Sequence, residues 1–161
     1  MDTFNVRKAT MDDVDSVTTC VHHAFGHYIE RIGREPGPML MDYALEIRDH
    51  QVFIVEDNKK TIGALVLCVK EEGFLLDVIA VEPFWQGKGV GRVLLKFAEA
   101  EAQRQGYESI YLYTHEKMTE NQALYSKTGY VEYDRRFENG LARVYMRKKL
   151  GERKHIIVAK Y

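Results

Sequence analysis

The sequence has few cysteines, no excess of charge of one sign and no long apolar run. Its two cysteines, Cys20 and Cys68, lie far apart and form no CxxC spacing, which excludes a local redox or metal-binding pair. Lys and Arg number 23 and Asp and Glu 24, so the basic excess that sequence-independent nucleic-acid binding requires is missing. No apolar run approaches the roughly 20 residues of a membrane-spanning helix. We therefore expect neither a nucleic-acid partner nor insertion into a membrane.

The rest of the composition is that of an ordinary globular protein. The chain has 161 residues, of which 45% are hydrophobic and 29% charged. Residues 1–16 carry acids and no apolar stretch, unlike a secretory signal, so we expect a reduced, cytoplasmic protein. That length predicts a single domain over residues 1–150. The tail, residues 151–161, is basic and then apolar, which suggests an edge strand or a partner contact, such as that of a homodimer.

Apolar periodicity and turn residues predict a mixed α/β fold with the order β-α-α-β-β-β-α-β-α-β-β. Spacings of three and four residues give the first helix one apolar face, formed by Val14, Val17, Val21, Ala24, Phe25 and Tyr28. The other helices are expected at 39–48, 89–105 and 120–128, and strands at 4–9, 51–56, 61–69, 74–81, 109–114, 130–135 and 143–150. Short connections between strands two, three and four favour antiparallel pairing, with helices on both faces of the sheet. Asn139-Gly140 between the last two strands predicts a hairpin.

The most informative segment, residues 81–92, has the sequence VEPFWQGKGVGR. A strand is expected to end before it and a helix to begin near Gly89. Glycines at 87, 89 and 91 let the backbone approach a ligand closely and turn its N–H groups towards it. The helix dipole favours an anion at that end, and Lys88 and Arg92 add positive charge. The pattern therefore predicts a pyrophosphate-binding loop, with a merely tight strand-to-helix connection as the alternative.

Two familiar phosphate motifs do not fit this loop. A Walker A loop requires Gly-Lys followed by Ser or Thr, whereas Lys88 is followed by Gly89. A dinucleotide fingerprint requires the first strand of a βαβ unit and an acid roughly 20 residues on. Here the loop follows an antiparallel run, and the next strand does not end in such an acid. The expected ligand is therefore neither ATP in a Walker site nor NAD.

A second segment, residues 121–130, has the sequence NQALYSKTGY. Asn121 and Tyr125 are four residues apart and share one face of a short helix, which Gly129 would end. Taken alone, such a tyrosine fits a half-buried packing role with a hydrogen bond from its hydroxyl.

Taken together, the two segments resemble the GNAT superfamily of acyl-CoA-dependent N-acyltransferases. Gln86, Gly89 and Gly91 match that family's Q/R-x-x-G-x-G/A motif, and Asn121 and Tyr125 match its second segment. The resemblance covers the chain from residue 4 to about 150. It implies a central, mostly antiparallel sheet with a split between the fourth and fifth strands, into which the pantetheine arm of the cofactor inserts.

The resemblance also implies roles for individual residues, with acetyl-CoA as the co-substrate. The cofactor-binding residues would be Ile79, Ala80 and Val81 on the fourth strand, then Gln86, Gly87, Lys88, Gly89, Val90, Gly91 and Arg92 around the pyrophosphate, and Asn121 and Tyr125. The N–H of Ile79 or Ala80 would polarise the thioester carbonyl. Tyr125 would protonate the departing thiolate, a role that suits a phenol because it remains protonated at neutral pH.

An amine acceptor must lose a proton before it can attack, since the pKa of an alkylammonium group is about 10.4. Asp77 on the fourth strand and Glu82 just past its end are the candidate proton acceptors. The alternatives are a strand-end hydrogen-bond partner for Asp77 and a solvated loop acid for Glu82. The family varies its base, so the resemblance does not choose between them.

The segment that joins the first two helices is expected to cover the acceptor. Arg31 or Arg34 could bind a carboxylate with two hydrogen bonds, and Asp77 could contact the amine. An apolar wall could be formed by Tyr28, Met39 and Tyr43. The alternative is a solvated helix end followed by a stiff Pro-Gly-Pro turn. His23 and His27 have chelating spacing but no third ligand at a telling distance, so no metal site is expected.

The sequence therefore favours an N-acetyltransferase that moves an acetyl group from acetyl-CoA to a primary amine by direct attack in a ternary complex. A small-molecule or amino-acid-like acceptor is the expected substrate. Two alternatives remain at this point: a protein acetyltransferase acting on an N-terminus or a lysine, and a non-catalytic acyl-CoA-binding sensor.

Overall fold

The computed structural model describes residues 4–151, so the predicted role of the tail lies almost wholly outside the described residues. The strands are β1 (Val6–Lys8), β2 (Gln51–Asp57), β3 (Lys60–Lys70), β4 (Gly73–Val81), β5 (Ser109–His115), β6 (Val131–Glu138) and β7 (Leu141–Lys149). The α-helices are α1 (Val14–Phe25), α2 (Tyr28–Ile32), α3 (Tyr43–Asp49), α4 (Val90–Arg104) and α5 (Thr119–Lys127). Single 3₁₀ turns occupy Met11–Asp13, Gly37–Leu40 and Pro83–Trp85.

Two compact units divide the chain. The first unit contains the residues up to Cys68 together with Leu76–Phe97, and the second contains Val69–Leu75 and the residues from Ala98 onwards. The single domain predicted over residues 1–150 stays a prediction.

The strands have the hydrogen-bonded order β1-β2-β3-β4-β5-β7-β6, which confirms the mixed, mostly antiparallel sheet. In the first unit, β1 pairs with β2 and β2 with β3, both antiparallel. In the second unit, β7 pairs antiparallel with β5 and with β6. The parallel neighbours are β4 and β5, which pair at Leu75 and Tyr111, near the N-terminal end of β4.

Burial along β3 shows how the first unit encloses this sheet. Residues 61–68 are all buried, which requires cover on both faces of the strand. Helix α4 covers one face so closely that a Cβ added at Gly63 would lie 2.8 Å from Val90 Cγ1 and 3.1 Å from Leu94 Cδ1. The predicted apolar face of α1 is confirmed at Val17 and Val21, both fully buried.

The helices before β2 are shorter than predicted. Helix α1 ends at Phe25, and the chain restarts as α2 at Tyr28, since Gly26 is a weak helix former at the junction. The helix predicted over 39–48 begins at Tyr43, because the Asp42 carboxylate accepts the N–H groups of Ala44 and Leu45 at 3.0 and 3.3 Å and caps it there.

The β6–β7 hairpin is longer than predicted, although its turn is where the sequence places it. The strands are joined by Asn139 and Gly140, both with positive φ (52° and 76°), as the common two-residue hairpin turn requires. The predicted hairpin is confirmed, with longer strands on either side of the turn.

Candidate active site

The predicted phosphate loop begins where β4 ends at Val81. The Pro83–Trp85 turn follows, and the side-chain amide of Gln86 donates to the Val81 carbonyl at 3.1 Å, which ties the loop back to the strand. Gly87 and Gly89 have φ values of 78° and 97°, and a Cβ at either position would meet nothing within 4 Å. Glycine is therefore favoured there by backbone conformation and not by crowding.

The loop offers its backbone donors from the residue after Gln86 onwards. The Gln86 N–H already donates to the Pro83 carbonyl at 3.2 Å. The N–H of Val93 donates to the Gly89 carbonyl at 3.1 Å and closes the first turn of α4. The N–H groups of residues 90–92 precede that bond, and at this end the helix dipole favours an anion.

The Lys88 side chain lies beside the two aromatic residues of the preceding turn. Its Nζ is 3.6 Å from the centre of the Phe84 ring and 5.4 Å from that of Trp85. Phe84 is 75% exposed, so this cation–π contact holds the ammonium at the surface of the loop. Arg92 is also exposed. Both cations predicted for the loop are therefore accessible to an anionic ligand.

The C-terminal half of β4 alternates between buried and half-buried residues. Val78 and Ala80 are buried, whereas Asp77, Ile79 and Val81 are half-buried. Burial, and then the charge of Asp77, raise the pKa of Tyr43, whose hydroxyl donates to the Pro38 carbonyl at 2.7 Å. The structure therefore brings Asp77 close to the segment between α2 and α3 that is predicted to cover the acceptor.

Glu82 is a buried acid and not a solvated loop acid. It is 8% exposed, and its carboxylate binds His23 Nδ1 of α1, with Oε1 at 2.9 Å and Oε2 at 3.1 Å. The His23 side chain itself is 56% exposed. This contact could not be predicted from the sequence, because the two residues are 59 positions apart and His23 suggested only a metal-binding spacing.

Two of the residues predicted for the acceptor contact each other. Tyr28 is buried, and the guanidinium carbon of Arg31 lies 5.1 Å from the centre of its ring. Met39 is half-buried within the Gly37–Leu40 turn, where its N–H donates to the Pro36 carbonyl at 3.0 Å. The turn is thus internally bonded, as the alternative of a stiff Pro-Gly-Pro segment also predicts.

The second predicted segment belongs to the second unit, whereas all the other predicted site residues belong to the first. Tyr125 on α5 is 5% exposed, and its ring meets that of Tyr130 edge-on at 5.8 Å. The Asn121 amide donates to Met118 Sδ at 3.7 Å. The Tyr130 hydroxyl is buried without a hydrogen-bond partner among residues 4–151, and its burial raises the pKa of that phenol.

Within residues 4–151, no group of three or more His, Cys, Asp and Glu side chains is placed to hold a metal ion. None of the helices in the described part of the chain is long and apolar enough to cross a membrane.

Solved structures with the same fold include several acetyltransferases. The PaiA N-acetyltransferase of Thermoplasma acidophilum, in complex with coenzyme A, superposes with a TM-score of 0.74 at 18% identity, over 92% of this chain and 99% of its own. The ribosomal-protein-S18-alanine N-acetyltransferase of Escherichia coli gives 0.75 at 18% identity, over 94% and 96% of the two chains. YncA of Salmonella typhimurium, a putative acetyltransferase with acetyl-CoA, gives 0.68 at 20% identity, over 94% and 96%.

A search of curated protein sequences finds no match. A sequence-family model described as the acetyltransferase (GNAT) domain matches residues 48–132, which run from the end of α3 to the start of β6 and include both predicted motifs. Because this match spans more than half of the chain, the protein belongs to the GNAT acetyltransferase family.

Proposed function

We propose that the protein transfers the acetyl group of acetyl-CoA to a primary amine carried by a small molecule or an amino-acid derivative. The observation that carries this proposal is the loop from Gln86 to Arg92, with left-handed glycines, accessible cations and the N-terminal N–H groups of α4 at one point. Membership of the GNAT family gives that anion-binding end its expected ligand, the pyrophosphate of an acyl-CoA.

Similar structures and the shape of the loop support the choice of cofactor. The PaiA enzyme holds coenzyme A and YncA holds acetyl-CoA. In this chain the space above Gly87 and Gly89 is open, so a phosphate can approach the backbone. Lys88 and Arg92 supply the accompanying charge. The backbone of β4 at Ile79, Ala80 and Val81 is proposed to pair with the amides of the pantetheine arm.

Acetyl-CoA supplies an acetyl thioester, and residues of this chain are proposed to bind it and move the protons. The N–H of Ile79 or Ala80 donates to the thioester oxygen and stabilises the negative charge that develops there. The amine nitrogen attacks the carbonyl carbon, so a C–N bond forms and the C–S bond breaks. The Tyr125 hydroxyl donates its proton to the departing sulfur, while Asn121 binds the cofactor arm. The carboxylates of Asp77 and Glu82 are the groups proposed to accept the proton of the ammonium group.

Direct transfer is supported by the state of the two cysteines. Cys20 is fully buried, and burial raises the pKa of its thiol to about 12. Cys68 is 4% exposed. The thiolate, not the thiol, is the nucleophile, so neither residue is suited to carry the acetyl group. The acetyl group is therefore proposed to pass straight to the amine in a ternary complex.

Arg31, Tyr28, Met39 and Asp77 are proposed to bind the acceptor. The guanidinium of Arg31 rests on the Tyr28 ring and remains exposed, so a carboxylate can approach it. Asp77 would attract the ammonium group at the other end of the molecule. An acceptor that carries both charges, such as an amino-acid derivative, would satisfy this pair of residues.

The test of the proposed function is calorimetric titration of the folded protein with acetyl-CoA, followed by replacement of Tyr125. We expect one-to-one binding, and for Tyr125→Phe a fall in turnover of about 100-fold with the Kd of acetyl-CoA unchanged. Free coenzyme A release, measured with amino acids and polyamines as acceptors, gives the turnover. Binding of acetyl-CoA with no transfer of the acetyl group to any of these acceptors would indicate an acyl-CoA sensor. Failure of the folded protein to bind acetyl-CoA would refute the proposal.

A further inference from the structure

The His23–Glu82 pair joins an exposed imidazole to a buried carboxylate at the end of β4. We propose that His23 is the catalytic base that takes the proton from the ammonium group of the acceptor, and that Glu82 is the positioning residue that holds the imidazole. This inference rests on the proposed function and replaces Glu82 by His23 as the group that touches the substrate.

Glu82 is fixed through its backbone as well as its side chain. Its N–H donates to the Ile62 carbonyl of β3 at 2.9 Å, and its carbonyl accepts the N–H of Trp85 at 2.8 Å. The carboxylate is therefore anchored between the sheet and the phosphate loop. Among residues 4–151 its one hydrogen-bonding partner is His23.

This arrangement determines which nitrogen of His23 is available. A buried carboxylate retains its charge best when it accepts a hydrogen bond, so it favours the tautomer that carries the proton on Nδ1. The unprotonated nitrogen is then Nε2, which accepts no hydrogen bond from the described residues. Carboxylates that orient an imidazole in this way also stabilise the imidazolium that forms when it takes up a proton.

The groups near the pair include a thiol on α1 and a cation on β3. Burial, and then the charge of Glu82, raise the pKa of the Cys20 thiol, whereas a hydrogen bond from the Glu82 backbone and the charge of Lys60 on β3 lower it. Cys20 is neutral because it is buried. The imidazolium formed at His23 would thus have one carboxylate in contact and a neutral thiol one helical turn away.

The distance between Glu82 and the expected position of the thioester determines the route of the proton. Glu82 follows Ile79 by three residues, which is about 10 Å of extended strand. With the thioester carbonyl at Ile79 or Ala80, the proton passes from the ammonium group to Nε2 through bridging water. The amine attacks, one of its remaining protons leaves with the sulfur through Tyr125, and the last stays on the amide nitrogen. His23 then releases its proton to solvent, which balances the reaction.

The chain provides a matched control for this pair. His50 Nδ1 binds Glu46 Oε1 at 2.9 Å, the same distance as in the His23–Glu82 pair. His50 follows the end of α3 and is absent from the proposed machinery. Any effect of a histidine-to-glutamine change that is general to such pairs will therefore also occur in His50→Gln.

The experiment compares two probe acceptors of the same skeleton, ethylamine and 2,2,2-trifluoroethylamine. Ethylamine is protonated at neutral pH and requires a base, whereas the fluorinated amine is already unprotonated. Release of free coenzyme A from acetyl-CoA is measured for wild type, His23→Gln, Glu82→Gln and His50→Gln, each shown to be folded and to bind acetyl-CoA. We expect His23→Gln to lose about 100-fold in kcat/KM with ethylamine and under about 3-fold with the fluorinated amine.

Glu82→Gln keeps an oxygen that accepts from His23 but removes its charge. The acidic limb of the kcat/KM profile should therefore move to lower pH in this variant, because the imidazolium is no longer stabilised. His50→Gln should match wild type with both amines. An exposed structural histidine would not produce this difference between amines or this shift of the profile.

Three results would overturn the inference. One is equal loss with both amines in His23→Gln, and another is no loss with ethylamine. The third is an acidic limb that disappears in Asp77→Asn and remains unmoved in Glu82→Gln, which would assign the base to Asp77. If wild type binds no acetyl-CoA and releases no coenzyme A with either amine, the proposed function fails and this inference fails with it.

Discussion

Two acids of the first unit, Asp13 and Glu82, are equally buried at 8% exposure, yet they have different kinds of partner. Asp13 accepts two hydrogen bonds from the Arg7 guanidinium at 2.9 and 3.0 Å and a third from the Thr10 N–H at 2.7 Å. Both carboxylate oxygens of Glu82 accept from one nitrogen of His23, Nδ1. Arg7 is always charged, whereas His23 carries an imidazole, a group that serves in proteins both as a donor and as an acceptor of protons.

Two acids that are equally buried need not have the same role. The hydrogen bonds from Arg7 hold the pKa of Asp13 below its ordinary value of 3.8, so this carboxylate is charged at neutral pH and joins β1 to the first turn after it. The carboxylate of Glu82 has a partner whose own charge can change. Equal burial thus accompanies a structural ion pair in one case and a proposed proton-handling pair in the other.

The largest effect that would separate the two acids is on stability. Asp13→Ala removes the hydrogen bonds to Arg7 and Thr10, and we expect a loss of about 2 kcal/mol in the free energy of unfolding, measured in urea at pH 7. Glu82→Gln keeps an acceptor for His23 and should lose about 1 kcal/mol or less. Turnover per folded molecule should follow the opposite order. If Glu82→Gln is the less stable variant and remains fully active, the comparison fails.

A smaller effect on stability is expected when the pH is lowered. Because the pKa of Asp13 is lower in the folded protein than in the unfolded chain, its contribution is complete well above the unfolded pKa of about 3.9 and is lost as the pH falls through the folded value. The urea midpoint of wild type should therefore decline between pH 5 and pH 2.5 more steeply than that of Asp13→Asn. Identical slopes for the two proteins would show that Asp13 contributes nothing to acid lability.

The difference between the partners of Asp13 and Glu82 could not be predicted from the sequence, whereas many local features could. Local signals located the elements well: Asn139 and Gly140 marked the hairpin turn, and the glycines of residues 87–91 marked the start of α4. These features depend on backbone conformation within a few residues, which the residue types themselves restrict. Membership of the family could be predicted for the same reason, since its motifs are short and contiguous.

The features that the sequence missed depend on long-range contacts. Glu82 was expected as either a base or a solvated acid, and its burial follows from α1 packing over the end of β4. The break between α1 and α2 is an exception, because it follows from the weak helix propensity of Gly26, which apolar spacing does not take into account. The proposed roles of Asp77, Tyr125 and the acceptor residues remain predictions, because residue type and burial do not determine chemistry.

The smallest expected effect distinguishes two His–Glu pairs that have the same distance between Nδ1 and the carboxylate oxygen. His50→Gln breaks an (i, i+4) contact with Glu46 near the end of α3, and such a partly exposed pair stabilises a helix by about 0.3–0.5 kcal/mol. We expect a decrease of that size in urea unfolding at pH 6 and no change in turnover. Glu46→Gln should give the same decrease, and the double variant should add almost nothing to it. A loss of activity in His50→Gln would mean that a His–Glu contact at 2.9 Å does not by itself distinguish the proposed base from a structural pair.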